Sequence, residues 1–296
     1  MRKAVLCFVH KDPDLINTQI RQFLSVGNTD IYIHLDSKAV GMKVNIIEDP
    51  HVFYISNSIS ITWGDDSMMR ALFNSWKEIF LAGKNYDYFI MTTGQDLIVK
   101  NNLDAFLLNN NGKIWIDSCE QDSWRRRVLS YKFPKMFCKD LSKNKYIFTR
   151  IFRSLYFRTL SLGLAPKRKL SFDISQIKFY YSFNWSLMPF SVFQYCVKYL
   201  EANPSFKEIF LNTILPEDSF LGTLIMNSPY RKDVVLSHGN HCVTQTFHYP
   251  FTVHPKILTV DDIPQIESSD CYFARKFDSK IDQTVIQYFK NKVINF

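Results

Sequence analysis

The 296-residue chain is 46% hydrophobic and 22% charged, which excludes a disordered or low-complexity protein. Its nine glycines and 16% aromatic residues exclude a collagen-like repeat and argue against a glycine-dependent dinucleotide-binding loop. The formal charge of +8 is unevenly spread: residues 123–178 hold 15 Lys and Arg against 2 Asp and Glu, and the rest of the chain holds 21 against 26.

The first apolar run, Val5–Val9, follows Met1-Arg2-Lys3 and is broken by His10, Lys11 and Asp12. It is too short for a membrane span or a full signal-peptide core, so it reads as a buried first strand. No later stretch reaches ~20 apolar residues, and the chain is expected in the cytosol. Leu15–Leu24 has helical spacing through Ile16, Ile20, Phe23 and Leu24. Asp30–Asp36 alternates Ile31, Ile33 and Leu35 against Tyr32 and His34, the period of a strand. His51–Ile55 is a third strand-like run. Ser67–Ala82 is the clearest helix, with Met69, Leu72, Phe73, Trp76, Ile79 and Phe80 on one stripe. Asp65, Asp66 and Ser67 are its N-cap candidates and Gly83 its stop. Asp87–Thr93 and Lys113–Asp117 read as strands. The alternation predicts an α/β, Rossmann-like, mostly parallel sheet with helices on both faces. In such sheets ligands bind beyond the carboxyl ends of the strands. His10, Asp36, Trp63-Gly64 and Gly94-Gln95-Asp96 all fall there.

Residues 123–178 form a basic, aromatic insert. Within it, Tyr146–Leu164 reads as an amphipathic cationic helix, suited either to an anionic membrane surface or to packing on the main body with solvated arginines. Further on, Phe179–Met188 is strand-like, Ser191–Ala202, Lys207–Thr213 and Ser219–Met226 are helix-like, Cys271–Phe277 is a short strand or turn, and Ser279–Val293 is a closing helix. With no repeat or linker in view, residues 1–296 are expected to be a single domain carrying the insert. The six cysteines lack metal-like spacing and read as reduced thiols.

Four blocks then resemble one family. They are Val9-His10-Lys11-Asp12 with Ile31–Asp36; Trp63-Gly64 with its helix, Tyr86–Ile90 and Gly94-Gln95-Asp96; Pro216-Glu217-Asp218-Ser219-Phe220; and Phe273-Ala274-Arg275-Lys276-Phe277-Asp278. In order and spacing they are similar to the core-2/I-branching β-1,6-N-acetylglucosaminyltransferases and peptide O-xylosyltransferases (glycosyltransferase family 14). The resemblance implies a GT-A-like fold, a UDP-sugar donor and inverting transfer without a metal ion or other cofactor.

Transfer from a nucleotide diphosphate needs a base for the acceptor hydroxyl and a counter-charge for the leaving group. Many such enzymes use a D-x-D motif and a divalent metal. Here the only D-x-D, Asp12-Pro13-Asp14, comes too early for that role, and Glu120-Gln121-Asp122 is a weaker metal candidate. The resemblance places Lys276 at the family's diphosphate lysine and Lys256 where the family has an arginine, with Arg275 beside them. It puts Asp218 in the base position, with Glu217 as the alternative, since the family's P-D-E is here P-E-D. Val9, His10, Asp36, Trp63, Gln95 and Asp96 correspond to the donor pocket. Ser182 and Trp185 are the two matches to an acceptor-binding pattern.

The expected acceptor is a glycan or a lipid-linked glycan in cell-surface polysaccharide synthesis. The enzyme would then be cytoplasmic, resting on the inner face of the membrane through its insert. The competing reading is a non-catalytic nucleic-acid-binding protein, prompted by the interleaved basic and aromatic residues of 123–178; the acidic remainder of the chain argues against a nucleic-acid partner.

Overall fold

The computed structural model describes residues 1–62, 64–120, 123–130, 147–235, 244–246 and 255–294. In chain order the strands and helices are β1 Lys3–Val9, α1 Pro13–Ser25, β2 Thr29–Leu35, β3 Val52–Tyr54, α2 Ser67–Leu81, β4 Tyr88–Thr93, β5 Asp96–Ile98, α3 Leu103–Asn109, β6 Ile114–Glu120, α4 Ser123–Val128, α5 Ile147–Ser161, β7 Tyr180–Pro189, α6 Phe190–Ala202, α7 Pro204–Ile209, α8 Glu217–Met226, β8 Val234–Val235, β9 Thr244–Thr246, α9 Ile263–Glu267, β10 Phe273–Arg275 and α10 Gln283–Ile294. The seven-stranded sheet has the order β3-β2-β1-β4-β7-β6-β8. Its pairs are parallel except those of β7 with β4 and β6. The α/β, GT-A-like expectation of a mostly parallel sheet is met. A small sheet, β5-β10-β9, brings residues near the C-terminus beside the end of β4.

The two-residue period of β1 explains why both of its faces are apolar. Ala4, Leu6 and Phe8 point into a core shared with Met69, Leu72, Trp76 and Ile79 of α2 and with Phe220 and Leu221 of α8. Val5, Cys7 and Val9 point into the other core, against Ile16, Ile20 and Phe23 of α1. A strand buried on both faces reads as a continuous apolar run, as Val5–Val9 does. Helices therefore cover both faces. The stripe expected on α2 is the one that packs, with Trp76 1% exposed and edge-on to Phe89 and Phe193.

Several short elements escape the sequence reading. These are β5, α3, α4, β8 and β9, each too brief to set up a period. The helix expected over Lys207–Thr213 lies instead at Pro204–Ile209, started by Pro204 in the first turn. Asn212 and Leu215 then take left-handed backbone conformations, which end the helix and redirect the chain into α8. Cys7, Cys196 and Cys271 are buried. Among the described residues, no helix is long and apolar enough to cross a membrane.

Candidate active site

The carboxyl ends of β1, β2 and β4 converge, and the sequence explains how. The amide of Asp36 donates to Val9 O at 2.8 Å, locking the ends of β1 and β2 together. The Asp36 carboxylate, 4% exposed, accepts from the amides of Lys38 (2.9 Å) and Ile61 (3.1 Å). The buried His34 ring accepts from Ile59 N at 3.1 Å. These contacts draw the segment before Trp63 over the end of β2; Trp63 itself lies outside the described residues. At β4, Gly94 is needed for close approach. A Cβ there would sit 3.2 Å from Ile16 and 3.3 Å from Val9.

The C-terminal motif is clamped onto the same end. Phe277 N donates to Gln95 O at 2.9 Å, and Lys276 N to Lys256 O at 3.3 Å. Lys11 pairs with Asp278 at 2.6 Å, while Asp12 accepts from the amide and hydroxyl of Ser279 at 2.7 and 2.6 Å. The same Asp12 caps α1 through Leu15 N. The D-x-D motif thus does structural work in its first carboxylate. Lys276, half-buried, lies close enough to the exposed His10 for its charge to help lower that imidazole's pKa, after desolvation and Lys11. His10, Asp36, Gln95, Lys256 and Lys276 thereby share one rim. Val9 belongs to its wall: the side chain is buried in the core and only the carbonyl is engaged there.

Two expected donor contacts face each other instead of open space. Asp96 is fully buried and accepts from Thr92 Oγ1 (2.8 Å), Thr93 N (2.7 Å), Trp185 Nε1 (2.7 Å) and Arg275 Nε (3.3 Å). The Arg275 guanidinium also lies over the Trp185 ring, 4.1 Å from its centroid. A carboxylate so placed is neutralised and its lone pairs are largely used. Asp96, Arg275 and Trp185 therefore join the large and small sheets, and their polar groups hold the pocket wall. Lys256 is also engaged, its Nζ 2.6 Å from Asp262.

Ser182 is engaged within the fold in the same way. It is fully buried in β7 and accepts from Gly222 N of α8 at 2.8 Å. Tyr180 N donates to Thr223 Oγ1 at 3.1 Å. α8 thus lies so close to β7 that a Cβ on Gly222 would fall 2.7 Å from Ser182 Cβ. Gly222→Ala is expected to destabilise the protein by about 1–3 kcal/mol, measured by urea unfolding, and to shift the start of α8; an unchanged midpoint would mean the contact has slack.

That start carries Pro216-Glu217-Asp218. Asn212 N, at the head of the preceding loop, donates to Asp66 Oδ2 at 3.0 Å, tying the loop to the entry of α2. The loop is also held by Thr213, whose hydroxyl donates to Arg127 O at 2.9 Å, and by Arg168, whose guanidinium donates to the carbonyls of Glu208, Ile209 and Leu211. Burial pushes the Asp218 carboxyl up to about 6, a rise that the Arg127 charge opposes. Glu217 is pushed well above the usual carboxylate range, by burial first and by Asp218 next, with a smaller push from Asp65. Its Oε2 is buried and makes no hydrogen bond. Both residues are half-buried, and two adjacent desolvated carboxyls do not both ionise cheaply, so the pair holds a proton to higher pH than free carboxyls do, with Glu217 pushed further than Asp218. Arg127 completes the group. Its guanidinium feels both Asp218 and Tyr181 of β7, and it lies 5.7 Å from the Phe157 ring centroid of α5.

Sequence reasoning missed Arg127. Among the 15 cations of the insert nothing marks it, and only the fold brings it to Asp218. The signal available was its place in the segment that follows β6, seven residues after Glu120, since ligands bind beyond the carboxyl ends of strands in such sheets.

A sequence profile of the Core-2/I-Branching enzymes matches residues 6–267. This chain is therefore of the glycosyltransferase class. It belongs to the Core-2/I-Branching enzyme family. It is 24% identical over 281 residues to xylosyltransferase 2 of Rattus norvegicus; the match covers 86% of this chain and 29% of the relative. Among solved structures it is similar to a Bacillus anthracis protein described as a glucose-1-phosphate thymidylyltransferase, in complex with sucrose (12% identity, TM-score 0.36, 80% of this chain and 86% of that one). A second is a UDP-glucose pyrophosphorylase mutant from Leishmania major (10% identity, TM-score 0.31, 69% and 52%). At such scores the likeness to either structure carries no argument. The family match sets aside the non-catalytic, nucleic-acid-binding alternative.

Proposed function

We propose that the protein is an inverting, metal-independent glycosyltransferase that moves N-acetylglucosamine, xylose or a hexose from UDP to a glycan or lipid-linked acceptor. The observation that carries this reading is the adjacent carboxyl pair at the start of α8, facing Arg127, in which desolvation pushes Asp218 up to about 6 and Glu217 well above the usual carboxylate range. A base poised near the working pH is what proton removal from a sugar hydroxyl requires. In the proposed step Asp218 takes that proton while the hydroxyl oxygen attacks the anomeric carbon. The bond from that carbon to the UDP oxygen breaks as the new one forms, which inverts an α-linked donor to a β-linked product.

The departing diphosphate needs positive charge in place before the bond breaks. Lys276 supplies it, with Lys256 adjacent through the main-chain bond between them. The carboxylates a divalent metal would need are otherwise committed: Asp12 to Ser279 and the α1 cap, Asp96 to Arg275 and Trp185. Glu120 meets Lys178 at 3.2 Å, while Gln121 and Asp122 lie outside the described residues. Uridine recognition falls to the rim formed by His10 and Asp36. Acceptors in cell-surface polysaccharide synthesis, met at the cytoplasmic face of the membrane, fit the basic insert that borders the carboxyl pair.

The test is release of UDP from a panel of UDP-sugars, with membrane glycolipid extract as acceptor, in excess EDTA. Full activity is expected. Loss in EDTA with recovery on Mn²⁺ would assign the counter-charge to a metal and remove Lys276 from that role.

A further inference from the structure

The two faces of α5 have different surroundings. Its inner face, Tyr156, Phe157 and Leu160, packs with Ala165 on Ile214 and Leu215, the two residues directly before Pro216. Its outer face carries Ile151, Leu155, Arg158 and Leu162, spaced i, i+4, i+7 and i+11 and so aligned along one side. Leu162 continues the helix, its amide donating to Arg158 O at 2.9 Å. Ile151 is 50% exposed, Leu155 48%, Leu162 71% and the adjoining Leu164 73%. These are four of the ten exposed aliphatic side chains of the size of valine or larger among the described residues, gathered on one short segment. Arg158, Lys167 and Lys169 are exposed next to them.

We infer that this face of α5 and the turn after it form a docking surface for an anionic lipid bilayer. Apolar side chains flanked by lysine and arginine are the composition of a helix that lies in the plane of a membrane interface. The occupant follows from charge. Residues 151–169, which carry the patch, hold five cations and no anion, so the patch sits in a field that attracts acidic headgroups and repels a second copy of itself. Solvent-facing leucines in such a field gain by entering the acyl boundary, while the cations stay at the headgroups. The surface needs no donor or catalysis. Its consequence for the enzyme does rest on the function proposed above: because the same helix braces Leu215 and holds Phe157 against Arg127, docking sets the Asp218 pocket at the headgroup level, where a lipid-linked acceptor presents its sugar.

The experiment is co-sedimentation of the full chain, without UDP-sugar, with phosphatidylcholine vesicles containing roughly one-third phosphatidylglycerol and with pure phosphatidylcholine vesicles. Binding to the anionic vesicles, weakened by salt and on the order of tenfold above the neutral ones, is expected. Leu155→Glu with Leu162→Glu is expected to remove it while leaving UDP-induced thermal stabilisation unchanged, since both positions face solvent. Equal binding to both vesicles, undiminished binding by the double variant, or sedimentation-velocity dimers that this variant abolishes would overturn the proposal. The wild-type comparison of the two vesicles and of two salt concentrations decides the matter even if the double variant fails to fold. Because no turnover is measured, failure here leaves the glycosyltransferase reading standing, and failure of the EDTA test leaves the docking surface standing.

Discussion

Asp218→Asn is expected to lower sugar transfer by on the order of 10²–10⁴-fold while UDP still stabilises the protein thermally. The substitution keeps the size and the helix-start position of the side chain, so packing of α8 on β7 is preserved. It removes the one group of the pair that can accept a proton at neutral pH. Glu217 is not expected to take over, because burial, which favours its neutral form and is the largest cause of its raised pKa, persists when Asp218 is replaced. Glu217→Gln, which mimics that neutral form, is expected to keep activity within a few-fold of wild type. The reverse pattern, an active Asp218→Asn and an inactive Glu217→Gln, would move the base to Glu217. The measurement is initial-rate UDP release for both variants at fixed donor concentration.

Lys276→Ala is expected to cost on the order of 10²–10³-fold in kcat/KM, the scale of losing one preorganised stabiliser of transition-state charge. Lys256→Ala is expected to cost less, because Lys256 is already bound to Asp262 and spends part of its charge there. The order of the two effects separates a shared diphosphate clamp from a dominant single lysine. Comparable losses, rescued in neither case by Lys→Arg, would place both side chains in structural roles. Lys276→Arg is the informative conservative variant: it keeps the charge and changes the donor geometry.

Much of the fold was legible in the sequence because period and burial coincide in its long elements. Val5–Val9 and Asp30–Asp36 announced the central strands, and the Met69–Phe80 stripe announced α2. Pro216-Glu217-Asp218 was legible as the candidate base through its resemblance to the family's P-D-E motif. What stayed hidden depended on partners distant in the chain. Asp96 and Arg275 are 179 residues apart and Trp185 is 89 from Asp96, yet each satisfies another's buried polar group. Read singly, the three looked like ligand contacts. Ser182 looked like an acceptor contact for the same reason, until Gly222 appeared behind it. Arg127 shows the converse: a cation indistinguishable from its neighbours in composition takes on a specific task because α4 ends beside α8. The element boundaries that shifted, around Pro204 and Leu215, lie where a proline and two left-handed residues outweigh apolar spacing.

The pH dependence of kcat/KM for UDP release, measured in EDTA for the wild type and for Arg127→Gln, bears most directly on the central claim that Asp218 is the base. A base must be deprotonated to act, so activity falls as pH drops through its pKa. The wild type is expected to lose activity on an acid limb centred near 6. Arg127 opposes the rise of that pKa, so removing its charge is expected to move the limb to higher pH with the alkaline plateau retained. An acid limb that stays in place in Arg127→Gln, or a rate that is flat from acid to neutral pH, would contradict it.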